Sequence, residues 1–296
     1  MTSITTADPL ALLSDQLAAL VERAATGIVA VHCGRRRSIS GIHWRPGILV
    51  TAEEALDRDE DITLVLPGGG KVAATLAGRD PSTDVAVLRF EPGGLPLAAT
   101  GDATTLRAGH LVLAIGRYDG NPLASQGIVG FAGGAWQSQR GGTIDQFLRL
   151  DLRLSPAGEG GALVDVNGKV LGMTVLGPRR RALAIPAATI DRAVDQLLAK
   201  GHVARGYLGA ALQRVRLGGD ARGVLVIGVD ANGPAAQAGL LVGDVITAWN
   251  GAPTSRVREI WRLLGTDSVG TSVELKVMRA GNPATVAVTL GERPLA

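Results

Sequence analysis

The chain has 296 residues, of which 46% are hydrophobic and 19% charged, with a formal net charge of +3. That length accommodates two or three domains, and the apolar content supports buried cores and excludes global disorder. So small a net charge, with no basic patch interleaved with aromatics, gives no reason to expect nucleic-acid binding. The single cysteine, Cys33, excludes an intramolecular disulfide and zinc sites built from several thiolates. His32, His43, His110 and His202 are scattered without ligand spacing. No metal or other cofactor is therefore expected. Residues 1–11 show neither a basic n-region nor an apolar h-region. No run reaches the roughly 20 apolar residues of a membrane helix. A cytoplasmic location is expected on that ground, or a periplasmic one if the sequence is a processed form.

In chain order, Leu10, Leu13, Leu17, Leu20 and Val21 recur at helical spacing, which predicts a helix over 8–25. A first strand is predicted over 27–32. Short β-rich runs follow at 38–42, 47–51, 62–66, 71–78, 85–90, 111–115, 127–132, 147–152, 163–166 and 170–175. Turn signals such as Pro67-Gly68-Gly69-Gly70 and Asp119-Gly120-Asn121-Pro122 separate them. Many short strands at such spacing predict antiparallel β-barrels or sandwiches. A helix is expected over 185–200, stopped by Gly201. From about Arg205 a second unit begins. It has predicted strands at 223–229, 245–249, 273–278 and 285–290, a helical turn at 235–238 and a helix at 255–264.

Ser155-Pro156-Ala157-Gly158-Glu159-Gly160-Gly161 is a small-residue loop leading into an apolar strand. Such a loop approaches other backbone closely and permits positive φ, so it either shapes a binding or catalytic surface or forms only a tight bend. It resembles the nucleophile loop of HtrA-type, trypsin-like serine proteases, which reads Gly-Asn-Ser-Gly-Gly-Pro-Leu. In this resemblance the serine position falls on Glu159 and the oxyanion-loop positions on Ala157 and Gly158. Gly47-Ile48-Leu49-Val50-Thr51 looks like the strand leading to the catalytic histidine, whose position is Glu54. Asp80-Pro81-Ser82-Thr83-Asp84-Val85-Ala86-Val87-Leu88 matches the aspartate motif, with Asp84 at the triad position. Gly233-Pro234-Ala235-Ala236-Gln237-Ala238-Gly239-Leu240 and Gly243-Asp244-Val245-Ile246 resemble a PDZ domain. The resemblance implies a mainly β protein, a trypsin-like double β-barrel followed by a small α+β PDZ domain. Its expected parts are an N-terminal helical segment (1–26), the protease-fold domain (27–200), a linker (201–206) and the PDZ domain (207–296).

Serine-protease chemistry needs a hydroxyl nucleophile, an imidazole and a carboxylate. Of these the matched positions keep only Asp84. The expectation is a catalytically inactive homologue, a pseudoprotease acting as a peptide- or protein-binding scaffold. The alternative is an active HtrA-type endopeptidase with relocated catalytic groups. His43 and His110 are expected to pack or to lie at edges, and Cys33 to be a small buried hydrophobe. Glu54, Asp84 and Glu159 would share one cleft. Relief of their repulsion is expected from Arg179-Arg180-Arg181 or from solvent, ahead of proton uptake or a bound cation. Gly206-Tyr207-Leu208-Gly209 looks like a carboxylate-binding loop for C-terminal or extended peptide segments of other proteins. Val257 and Trp261 are expected on the groove wall, with Ile260 and Leu264 facing the core. Relatives trimerise through aromatics near the N-terminus. None precedes Trp44 here, so a homo-oligomer stays open and a trimer is disfavoured.

Overall fold

The structure is a computed structural model that describes residues 8–34, 38–138, 140–218, 221–265 and 268–294. Helix α1 (Pro9–Ala24) starts where Asp8 accepts a hydrogen bond from the Leu10 amide and Pro9 takes the first helical position. Residues 1–7 of the expected N-terminal segment lie outside the described residues. Only Leu20 of this helix is buried.

Aliphatic and β-branched runs broken by glycine turns then form β1 (Ile28–Cys33), β2 (Ser38–Arg45), β3 (Ile48–Ala52), β4 (Ile62–Val65), β5 (Lys71–Asp80) and β6 (Val85–Phe90). They close into a barrel in the order β1-β2-β3-β6-β5-β4. The next strands are β7 (Leu111–Tyr118), β8 (Asn121–Gly133), the short pair β9 (Trp136–Gln137) and β10 (Thr143–Ile144), and β11 (Phe147–Asp151). After them come β12 (Ala162–Val164), β13 (Val170–Gly177) and β14 (Arg181–Pro186). The second barrel runs β11-β14-β13-β12-β7-β8. Closure leaves no exposed strand edge, and inward side chains such as Ile28, Ile42, Leu49, Leu88, Leu148 and Leu163 are fully buried. The helix expected from 185 begins instead at Ala187 (α2, Ala187–Lys200), because Pro186 holds the residue before it out of helical geometry and β14 occupies that stretch. Gly201 ends it at φ 74°.

A second compact unit comprises Gln137–Thr143 and Val203–Ala296. It contains β15 (Gly206–Tyr207), β16 (Ala210–Gly218), β17 (Ala221–Val229), α3 (Pro234–Gln237), β18 (Val245–Trp249), β19 (Ala252–Pro253), α4 (Val257–Leu263), β20 (Ser272–Arg279), β21 (Asn282–Thr289) and β22 (Gly291–Glu292). The main sheet runs β16-β17-β18-β20-β21 over a core of Leu208, Val226, Ile246, Trp249, Ile260 and Leu275. Strand β16 has no counterpart among the expected strands. Register shifts at 211/212 and 216/218 break its two-residue alternation, so its sequence carries no clean period.

Candidate functional site

The barrel cleft is built around Asp84. Asp80 is buried, and its carboxylate accepts from the Ser82 amide (2.9 Å), the Ser82 hydroxyl (2.5 Å) and the Thr83 hydroxyl (2.5 Å). That local network closes the turn and presents Asp84 at φ 60°, a left-handed conformation that aspartate tolerates better than most residues. Asp84 Oδ1 accepts the Glu54 amide at 2.8 Å, and the Asp84 carbonyl accepts the Glu53 amide at 3.3 Å. The Glu54 side chain is exposed. Arg79 shapes the segment that carries it. Its guanidinium donates to the carbonyls of Glu53, Leu56 and Arg58 and pairs with Glu53 (3.3 Å) and Asp59 (2.6 Å).

Glu159 is only 4% exposed. Its Oε1 accepts the Leu176 amide at 3.3 Å, and its carbonyl accepts the Ser40 amide at 2.8 Å. The structure thus brings Glu54, Asp84 and Glu159 to one place. Burial, and then the charges of Glu54, Glu159 and Glu53, outweigh the Glu54 amide and push the Asp84 carboxyl up to about 7. Proton uptake at Asp84 is thus favoured chiefly by its burial and only secondarily by the neighbouring carboxylates, whereas the sequence ranking put arginine pairing or solvent first. Arg179, Arg180 and Arg181 instead form an exposed turn, the first two in left-handed geometry. Among the described residues, no three His, Cys, Asp or Glu side chains are placed to hold a metal ion.

The loop bearing Ala157 and Gly158 is a 3-10 turn, Pro156–Gly158, capped by the Ser155 hydroxyl, which accepts the Gly158 amide at 3.1 Å. The Glu159 amide donates to the Pro156 carbonyl at 3.3 Å, and the Ala157 carbonyl accepts the Ser40 hydroxyl at 2.6 Å. Ser40 Oγ also accepts the Arg117 amide at 2.9 Å, so one buried hydroxyl joins the loop to both barrels. Arg117, itself buried, donates through its guanidinium to the carbonyls of Ala25, Ile28 and Gly120. Ser40, Arg79 and Arg117 escaped the sequence reading because their partners lie far along the chain. Asp80 could have been found, since Asp followed by Ser and Thr is a local turn signature. His43 is buried against Phe90, with Nδ1 on the Pro96 carbonyl at 3.0 Å, and Cys33 is a buried free thiol. His110 is half-buried and ends the turn before β7.

In the second unit, Gly206 and Tyr207 pair with β22. Leu208 is buried and its carbonyl accepts the Ala235 amide at 2.8 Å. Gly209 turns at φ 73°, and its carbonyl accepts the Asp230 amide at 2.9 Å. Among the described residues, the Leu208 and Gly209 amides donate to no other backbone group. The Tyr207 hydroxyl donates to Asp230 across the loop. On α4, Ile260 is fully buried, Val257 and Leu264 are half-buried against the core, and Trp261 is 58% exposed. Strand β16, which follows the loop, is an edge of its sheet. The arrangement offers unused amides at one end of an open strand edge flanked by a helix.

Residues 39–173 match the family model described as a trypsin-like peptidase domain, and residues 206–290 match that of a PDZ domain. A DegP-like protein of Pseudomonas savastanoi pv. phaseolicola, named as a periplasmic serine endoprotease, is 34% identical over 262 residues, which is 84% of this chain and 54% of that protein. A protein of the same name from Halomonas elongata is 32% identical over 279 residues, 89% of this chain and 58% of the relative. The chain thus spans about half the length of the curated relatives it matches. Among solved structures, the serine endoprotease from Yersinia pestis superposes with a TM-score of 0.73 at 30% identity, covering 95% of this chain and 98% of that one. The HtrA-type protease AlgW with a decapeptide gives a TM-score of 0.74 at 26% identity, covering 94% and 99%. Two expectations are corrected by these names. The inactive-scaffold reading gains no support, because the relatives and neighbours are named as proteases, which favours the hydrolase alternative. The cytoplasmic expectation also gains none, because the curated relatives are named as periplasmic. Among the described residues, no helix is long and apolar enough to cross a membrane.

Proposed function

The chain belongs to the HtrA-type, trypsin-like serine proteases that carry a PDZ domain, and from that premise we propose that it hydrolyses polypeptides, with two carboxyl groups as base and acid and a water as the nucleophile. The observation that carries this reading is the carboxyl cluster itself, in which Asp84 accepts the Glu54 amide at 2.8 Å with Glu159 close by, and in which burial pushes the Asp84 carboxyl up to about 7. A carboxyl that titrates near neutral pH is suited to acid–base catalysis. Two neighbouring carboxylates with separated pKa values can divide the acid and base roles.

In this scheme Glu54, exposed beside Asp84, takes a proton from a water whose oxygen adds to the scissile carbonyl carbon. Protonated Asp84 gives its proton to the carbonyl oxygen. Collapse of the tetrahedral species breaks the C–N bond as Glu54 protonates the amine, and the second hydroxyl proton returns to Asp84. The Glu159 amide can assist only after a substrate displaces its bond to Pro156. The PDZ domain would hold substrate C-termini on the Leu208 and Gly209 amides, and the location is taken to be periplasmic, as the relatives are named.

The test is cleavage of casein by the purified chain at neutral pH, beside Asp84→Asn and Glu54→Gln. Loss of at least about a hundred-fold in rate in both variants is expected, since positioned acid–base groups contribute on that order. A wild-type chain that leaves casein intact, or variants that cut it at the wild-type rate, would overturn the proposal.

A further inference from the structure

We propose that the peptide groove of the C-terminal domain selects acidic side chains several residues upstream of the bound terminus, through Arg214, Arg216 and Arg222. The inference rests on the peptide-binding reading given above and deepens it. Leu212, Arg214 and Arg216 are spaced two apart on β16, so they share one face of the sheet. Leu212 packs against the core on that face, the face that α4 also covers through Ile260 and Val257. Beyond Leu212, Arg214 lies opposite the buried core residue Val224, and both Arg214 and Arg216 are exposed.

The third arginine comes from the neighbouring strand. Arg222 of β17 lies directly opposite Arg216, and it is exposed too. Like charges placed directly opposite on adjacent strands repel each other. Among the described residues no carboxylate is paired with any of the three, whereas Arg45, Arg79 and Arg279 all have carboxylate partners. Among the described residues the cluster is therefore uncompensated, and two of its three arginines lie on the edge strand. An anion supplied from outside is the group that would relieve it.

The position of the cluster says where in a peptide that anion belongs. A terminus held at residues 206–209 lies just before β16, so the rest of an added strand must run along β16 towards Gly218. Arg214 and Arg216 lie four and six residues beyond Ala210, the first residue of that strand. Aspartate or glutamate about four and six residues upstream of the terminal residue then meets the arginines, on the same side of the added strand. Charge complementarity at such exposed positions sets preference and salt dependence more than total affinity.

The experiment measures binding of the full chain to fluorescein-labelled decapeptides by anisotropy. The peptides share one apolar C-terminal residue and carry glutamate, glutamine or lysine at the fourth and sixth upstream positions. Each is made as free acid and as amide. The expected order is glutamate, then glutamine, then lysine. Exposed ion pairs contribute little each, so two of them predict a glutamate-over-glutamine preference of roughly two- to thirty-fold. The preference should shrink as salt is raised and disappear in Arg214→Gln/Arg216→Gln, with the glutamine peptide bound as before. Equal binding of the glutamate and glutamine free acids overturns this inference alone. Free acids that bind no better than amides, or no binding by any peptide, overturn the peptide-capture reading beneath it and this inference with it.

Discussion

The loop at Glu159 and the loop at Gly209 present two kinds of site in one chain. Both turn through a glycine in left-handed geometry, Gly160 at φ 81° and Gly209 at φ 73°. Both are fixed by backbone bonds, Gly160 to the Thr174 carbonyl at 2.9 Å and Asp230 to the Gly209 carbonyl at 2.9 Å. They differ in which groups they present. In the barrel loop the Glu159 side chain is buried, and its carboxylate accepts the Leu176 amide. The C-terminal loop presents the Leu208 and Gly209 amides, which no side-chain replacement removes and which donate to no backbone group among the described residues. A scaffold thus constrains its amide-based sites far more tightly than its side-chain-based ones.

The strongest way to break the comparison is to attack the shared backbone feature. In Gly160→Ala the new Cβ would run into the Ser40 carbonyl and the Thr51 hydroxyl, on top of the left-handed strain. A destabilisation of about 3–5 kcal/mol is expected, measured by denaturant unfolding. A loss below about 1 kcal/mol would show that the barrel loop is not held as tightly as its geometry implies.

A second test separates charge from backbone. The Asp84 carboxyl titrates near 7 in the folded chain, above its ordinary value of 3.8. Between those values the folded state binds the extra proton, so stability is greatest below about pH 4 and is lost as pH rises through 7. Asp84→Asn keeps an acceptor for the Glu54 amide and cannot ionise. It should therefore be more stable than the wild type at pH 8, by up to about 4 kcal/mol for a shift of this size, and level with it at pH 4. Glu54→Gln/Glu159→Gln should shift the same curve in the same direction by less, because burial is the largest cause. A wild-type and Asn variant that differ equally at both pH values would show that Asp84 is an ordinary solvated carboxylate.

How far the sequence revealed this site follows from how local each contact is. Turn-separated apolar runs were enough for the other strands of both barrels but not for β14, part of which was assigned to the following helix, and the Asp80-to-Leu88 motif pointed to Asp84. The contacts that hold the cleft together were invisible, because Ser40 and Ala157 are 117 residues apart and Arg117 reaches back 92 residues to Ala25. The family resemblance put Arg179 to Arg181 near the glutamates, as a solvated turn or as their partners, yet the arginine that organises the Glu53–Asp59 segment is Arg79, on the strand that ends in the aspartate motif. Strand β16 was missed because its bulges hide the alternation that would have marked it.

The smallest expected effect concerns the amide-based loop. The Tyr207 hydroxyl donates to Asp230, whose amide in turn holds the Gly209 carbonyl, so one residue braces both ends of the turn. The bond to Asp230, burial and the nearby charge all raise the Tyr207 phenol above its ordinary value of 10. Its contribution is therefore constant through neutral pH and is lost only as pH rises through that raised value. Tyr207→Phe should cost less than about 1 kcal/mol at neutral pH, since the bond is near the surface and only one partner is removed. The ultraviolet titration of phenolate should show a late transition for Tyr207. That transition should vanish in Tyr207→Phe. If free-acid peptides bind Tyr207→Phe as they bind the wild type, the Leu208 and Gly209 amides hold the carboxylate without that brace. Loss of peptide binding with unchanged stability would instead mean that the phenol positions the loop, and the distinction between amide-based and side-chain-based sites would have to be redrawn.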